Sequence, residues 1–120
     1  MKGVLVVGHG SRQKSTEQIL EFVVTTARRN LPDTVIEIAY MEFGEKDILS
    51  GLNTLTEKGV SEIAVVPYFL FDGMHIRKDI PAILDKFKAK NENVKIAMGR
   101  PFGADDRLAA ILLDRIKEIL

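Results

Sequence analysis

Cysteine is absent from the 120 residues, which excludes disulfide frameworks, thiolate metal sites and cysteine nucleophiles together. Any metal held by this chain must take nitrogen or oxygen ligands. An excess of charge is missing too: 17 basic side chains balance 17 acidic ones, leaving no electrostatic footprint for nucleic acid or an anionic membrane surface. Long apolar runs are also lacking. The opening stretch from Met1 to Gly8 is too brief for a signal peptide, and no segment is long enough to span a bilayer. A cytoplasmic protein with neither a nucleic-acid nor a membrane partner is expected. The Walker pattern and the dinucleotide glycine fingerprint do not occur, which removes the usual signatures of nucleotide binding.

What is present is an alternation of strand-like runs with helix-like apolar spacing. A chain of this length forms one core, so residues 1–120 are expected to be a single domain. Strands are predicted at Gly3 to Val7, Val35 to Tyr40, Glu62 to Tyr68 and Val94 to Met98, each rich in Val or Ile. Four apolar stripes predict the helices: Ile19, Leu20, Val23, Val24 and Ala27; Ile48, Leu49, Leu52 and Leu55; Ile80, Ile83, Leu84 and Phe87; and Leu108, Ile111, Leu112, Ile116 and Ile119. Pro81 fits only a first turn, and Asp105 is the expected N-cap of the last helix. Val4 to Val7 and Ile63 to Val66 are uninterrupted, whereas Glu37 and Lys95 break the second and fourth strands. The first and third strands are therefore central. Right-handed crossovers then give a three-layer α/β fold, a four-stranded parallel sheet of order 2-1-3-4 with helices on both faces, like half of a flavodoxin-type unit.

Only two histidines occur, His9 directly after the first strand and His75 in the loop after the third. In that strand order both lie at the reversal of chain direction, where open α/β sheets bind ligands. Neutral imidazole suits divalent transition metals and proton transfer near neutral pH, so two converging histidines point to metal or proton chemistry.

Four ordered blocks carry a resemblance: Gly8-His9-Gly10-Ser11-Arg12; Met41-Glu42-Phe43-Gly44-Glu45; Val66 to Leu70, continuing through Gly73-Met74-His75 to Asp79-Ile80-Pro81; and Gly99-Arg100-Pro101-Phe102-Gly103 with Asp105 and Leu108. Together they span nearly the whole chain, which resembles the small class II tetrapyrrole chelatases that metallate sirohydrochlorin, the short cobalamin-pathway type and its nickel-inserting relatives. The resemblance implies a homodimer and a metal substrate, Co²⁺ or Ni²⁺ with Fe²⁺ as a further candidate, and no organic cofactor. It assigns His9 and His75 to the metal and brings Glu45 and Glu42 to the substrate side, while imidazole chemistry makes His9 the expected catalytic base as well. Insertion requires stripping water from the ion, holding it over one ring face and removing two pyrrole protons, for which imidazoles and a carboxylate suffice. Leu70, Phe71, Asp72, Gly73 and Met74 are expected to meet the substrate, the apolar members as a flat wall, with Gly73 permitting the turn that presents His75. Ser11 and Arg12, and as further basic candidates Arg77, Lys78 and Arg100, are expected to meet the carboxylates of the ring.

Plainer readings exist for each feature. A loop histidine is more often structural, Glu42 and Glu45 suit an ordinary turn or helix start, and a loop arginine is usually solvated. Three other classes compete: a phosphate-handling enzyme using His9, a flavin or nucleotide module, and a metal or tetrapyrrole carrier without turnover.

Overall fold

A computed structural model describes residues 1–44 and 46–120. Strand β1 (Lys2–Gly8), helix α1 (Lys14–Asn30), β2 (Val35–Tyr40), α2 (Ile48–Glu57), β3 (Glu62–Pro67), a π-helical turn (His75–Asp79) running into α3 (Ile80–Lys90), β4 (Lys95–Met98) and α4 (Asp106–Lys117) follow in order. All neighbouring strands are parallel, in the order β2-β1-β3-β4. The two uninterrupted strands are indeed central, each hydrogen-bonded to a neighbour on both sides. The edge position of β2 also explains Glu37. Its half-buried carboxylate is held by Lys58 at 2.6 Å, at the end of α2, and Lys46 at 3.8 Å.

One face of the sheet is closed. Leu5, Val7, Ile63 and Val65 pack beneath Leu52 and Leu55 of α2 and Ile80, Leu84 and Phe87 of α3. Gly51 allows α2 to lie this near, since a side-chain carbon there would run into Leu5. Asp47 starts α2 by accepting the Ser50 backbone N–H at 2.8 Å.

The opposite face is closed only over β1 and β2, where Leu20 and Val24 of α1 meet Val6, Ile36, Ile38 and Tyr40. Here two expected stripes are corrected. Ile19 and Val23 of α1 stay 61 % and 40 % exposed, and no residue of α4 is buried. Both segments are helices as their period requires, but in this chain neither flank has a surface to cover. Four strand boundaries also move: β1 runs Lys2–Gly8 rather than Gly3 to Val7, β3 ends at Pro67 rather than Tyr68, and β4 starts at Lys95 rather than Val94. Among the described residues no helix is long and apolar enough to cross a membrane.

Candidate metal centre

Parallel pairing extends past the strand ends and carries the site residues together. The Met41 N–H donates to the Gly8 carbonyl at 2.9 Å and the Glu42 N–H to the His9 carbonyl at 3.1 Å, so the two loops run side by side. Gly10 makes this possible. It adopts φ +96°, and a Cβ there would overlap the Glu42 carbonyl oxygen. As a result His9 Nε2 stands 3.1 Å from Glu42 Oε1.

His75 arrives from the far side of β1. The sequence placed it in a loop, whereas it opens the π-helical turn. Pro81 cannot donate a hydrogen bond, so the chain enters α3 through a widened turn in which the Ile80 N–H bonds to the His75 carbonyl. Gly73 is not needed for its torsional freedom: its φ is not positive and its Cβ direction is open. It contributes its carbonyl, which accepts the Ile76 and Arg77 N–H groups at 3.1 and 2.9 Å.

The two imidazoles meet edge to face, with ring centroids 5.2 Å apart. Phe69 backs both, 6.3 Å from each. One ligand atom from each of His9, Glu42 and His75 lies within 4.8 Å of the others. Donors around one first-row ion sit roughly 3 Å apart, given bonds of about 2.1 Å, so small side-chain rotations complete a set of two nitrogens and one oxygen. All three side chains are partly exposed, 53 %, 45 % and 39 % for His9, Glu42 and His75. The centre is an open face rather than an enclosed crevice, suited to a flat ligand arriving from outside.

Asp79 was not singled out as a site residue in the sequence, although its spacing from His75 was a signal. Four residues on along a helical turn, its Oδ2 lies 2.8 Å from His75 Nδ1. An ionised carboxylate only accepts, so Nδ1 carries the proton and Nε2 keeps the lone pair that a metal would need. Asp79→Asn is expected to weaken Co²⁺ binding by roughly 10- to 100-fold, the usual cost of losing such an outer-shell partner. A Co²⁺ titration followed by visible absorption checks this, and unchanged affinity would leave Asp79 without a positioning role.

The other expected residues divide. The Arg12 guanidinium lies 4.9 Å over the Phe43 ring, whose backbone takes the left-handed φ of +61° that non-glycine residues avoid. Arg12 is thereby parked at the rim beside Glu42. Ser11 Oγ accepts the Gln13 N–H at 3.1 Å and so serves the start of α1. Arg77 is paired with Asp72 at 3.1 Å, while Lys78 is exposed. Leu70, Phe71 and Met74 are exposed by 49 %, 80 % and 59 %, as a wall open to a ligand requires, and Ile76 turns into the core. Leu70 and Phe71 also line a groove of about 1080 Å³ against Leu108, Ile111 and Leu112 of α4, to which none of the three candidate ligands contributes. Arg100 sits apart from the centre, in a groove with Asp105 and Arg107. Arg107 donates to Asp105 from its side chain and its backbone, holding that carboxyl far below the ordinary carboxylate range. Glu45 lies outside the described residues.

Similar proteins include both single-unit and longer chains. A sirohydrochlorin cobaltochelatase from Sulfurisphaera tokodaii is 34 % identical over 120 residues, covering all of this chain and 95 % of the relative. A sirohydrochlorin ferrochelatase from Priestia megaterium is 34 % identical over 119 residues, covering 98 % of this chain but 44 % of the relative, so the chain spans under half of that protein. The crystal structure of the sirohydrochlorin chelatase SirB from Bacillus subtilis subspecies spizizenii in complex with cobalt superposes with a TM-score of 0.89 at 30 % identity, covering 98 % of this chain and 50 % of that one. The model of the CbiX family matches residues 3–119, and with four parallel strands in the order β2-β1-β3-β4 beneath the histidine pair, this chain belongs to the CbiX family.

Proposed function

We propose that this chain is a sirohydrochlorin chelatase that inserts Co²⁺ or Ni²⁺, with Fe²⁺ as a competing ion, and works in the cytoplasm as a homodimer of single-domain subunits. The observation that carries the reading is the meeting of His9, Glu42 and His75 within 4.8 Å at the carboxyl end of the sheet. Two imidazoles and one carboxylate hold a first-row divalent ion while leaving positions for the ring nitrogens. The names of the similar chelatases support the substrate.

The protein has three tasks in such a reaction: to strip and hold the ion, to place the ring, and to take the protons. His9 and His75 perform the first, with Asp79 keeping the Nε2 lone pair of His75 outward. Leu70, Phe71 and Met74 offer the apolar face of the macrocycle a wall, with Asp72 and Gly73 between them. Arg12 and Ser11 receive its carboxylates. Each metallation releases two pyrrole protons: Glu42 takes the first and passes it to water, and His9 Nε2, 3.1 Å from Glu42, regains its lone pair as the ion leaves it for the ring and takes the second, which it passes on the same way. Glu45 is proposed to serve the substrate as well.

The test is turnover. With sirohydrochlorin and Co²⁺ in large excess over protein, the absorbance of the metallated product should grow well past one equivalent per chain, faster than without protein. A shift that stops at one equivalent identifies a carrier. A rate equal to the protein-free reaction overturns the reading.

A further inference from the structure

The two imidazoles reach the same centre with unequal support. His75 is locked by a hydrogen bond, its Nδ1 lying 2.8 Å from Asp79 Oδ2 four residues on. His9 has no such partner. Its Nδ1 finds only the carbonyl of the adjoining Gly10 at 3.3 Å, longer than the roughly 2.7 to 3.2 Å of an ordinary N–H···O bond. Its Nε2 faces Glu42 at 3.1 Å, but an ion claims both of those atoms, so the contact is given up as soon as the centre is filled. A ligating imidazole normally takes its orientation from the group to which its other nitrogen donates. Something else must orient His9.

What stands against the His9 ring is aromatic. Phe69 completes a triangle with the two imidazoles, its centroid 6.3 Å from each while theirs are 5.2 Å apart, and the planes cross at 73°, 61° and 63°. All three pairs are edge to face, the arrangement that ring quadrupoles favour at centroid separations of about 4.5 to 7 Å. Phe69 is also the corner fixed by backbone on both sides. The Tyr68 N–H donates to the Val7 carbonyl at 2.7 Å, prolonging the pairing of β3 with β1, and the Phe69 carbonyl accepts the Phe102 N–H at 2.9 Å, tying the same stretch to the segment after β4. Its side chain is half-buried, whereas Leu70 and Phe71 next to it are exposed.

We propose that Phe69 is the positioning residue for His9, setting by edge-to-face contact the orientation that Asp79 sets for His75 by a hydrogen bond. A phenyl ring has no lone pair, so it fixes where His9 stands without competing for the ion. The pair is then asymmetric. His75 is the anchor, held through a directional bond, and His9 is the arm, held through a contact that lets its ring tilt when the ion moves on to the macrocycle. The inference rests on the metal-inserting role proposed above and gives the two imidazoles different parts in it.

Phe69→Leu tests this, because it removes the planar edge and keeps an apolar side chain. With only two histidines in the chain, proton NMR of the metal-free protein shows two sets of imidazole signals, assigned with His9→Ala and His75→Ala. In the unmodified protein, cross-relaxation should connect the Phe69 ring to both imidazoles and the imidazoles to each other. In Phe69→Leu the connection between His9 and His75 should vanish as His9 samples other rotamers, while the backbone amide spectrum away from this strand end stays that of the parent. The Co²⁺ concentration giving half-maximal turnover should rise by roughly 10-fold, the lower end of the cost of losing an outer-shell partner, with the rate at saturating Co²⁺ kept within about twofold because the bound ion itself draws His9 into place.

A connection between the imidazoles that persists in Phe69→Leu, or an unchanged Co²⁺ dependence, overturns the proposal and leaves the metal centre standing. If Phe69→Leu does not fold, the unmodified protein decides: cross-relaxation between Phe69 and His9 supports the proposal, and its absence overturns it. Co²⁺ that perturbs neither imidazole in the unmodified protein overturns the metal reading as well, so the two failures are told apart.

Discussion

Replacing His9 or His75 with Ala is expected to lower the rate of Co²⁺ insertion by at least about 100-fold, the lower bound for losing a positioned proton acceptor or an electrostatic anchor in a reacting site. Either change leaves one nitrogen and one oxygen donor of the three. Such a pair holds a hydrated ion too weakly to exchange its water for ring nitrogens. The two variants should differ in kind. His9→Ala also removes the acceptor of the second pyrrole proton, so extra Co²⁺ should not rescue it, whereas His75→Ala should recover partly at high Co²⁺ because only a ligand is lost. Stability should hardly change, within about 0.5 kcal/mol in urea denaturation, because both rings are partly exposed and neither belongs to the core. Near-normal insertion in both variants would remove the metal centre from this position.

Gly10→Ala is expected to reduce insertion nearly as far, although position 10 offers no chemical group. The added methyl would meet the Glu42 carbonyl oxygen, and the φ of +96° is one that alanine adopts only under strain. The loops must part, taking His9 away from Glu42 and from His75. A displacement of about 1 Å in a reacting group costs on the order of 100-fold in rate. Strands β1 and β2 end before the clash, so far-ultraviolet circular dichroism should stay that of the parent protein. Co²⁺ titration and turnover check the prediction together, and full activity in Gly10→Ala would mean that the approach of the two loops is not what assembles the centre.

The contrast between these variants marks how far the linear chain could be read. His9 and His75 were legible because scarcity made them conspicuous and strand order placed both at one reversal. Strand order was legible because a strand between two helical layers must be apolar on both faces, and Glu37 and Lys95 betrayed the edges. Asp79 and Phe69 were harder. A carboxylate four residues from a histidine is informative only once that stretch is known to be helical, and Phe69 looked like one more apolar residue in an apolar run. The turn at His75 looks like a loop in the sequence because a π-helical widening has no distinctive period, only a proline six residues on.

Local chemistry and apolar period thus determined the elements, their order and the kind of metal ligands available, since each follows from which side chains must leave water and which can donate a lone pair. Distances between loops that are remote in sequence belong to the tertiary structure alone. The pairing of His9 with Glu42 depends on backbone bonds beyond two strand ends, and the exposure of α4 depends on where the chain pins Phe102 and Gly103. A stripe of leucine and isoleucine declares that α4 must be covered. Only the arrangement of the whole chain decides that its own sheet does not cover it.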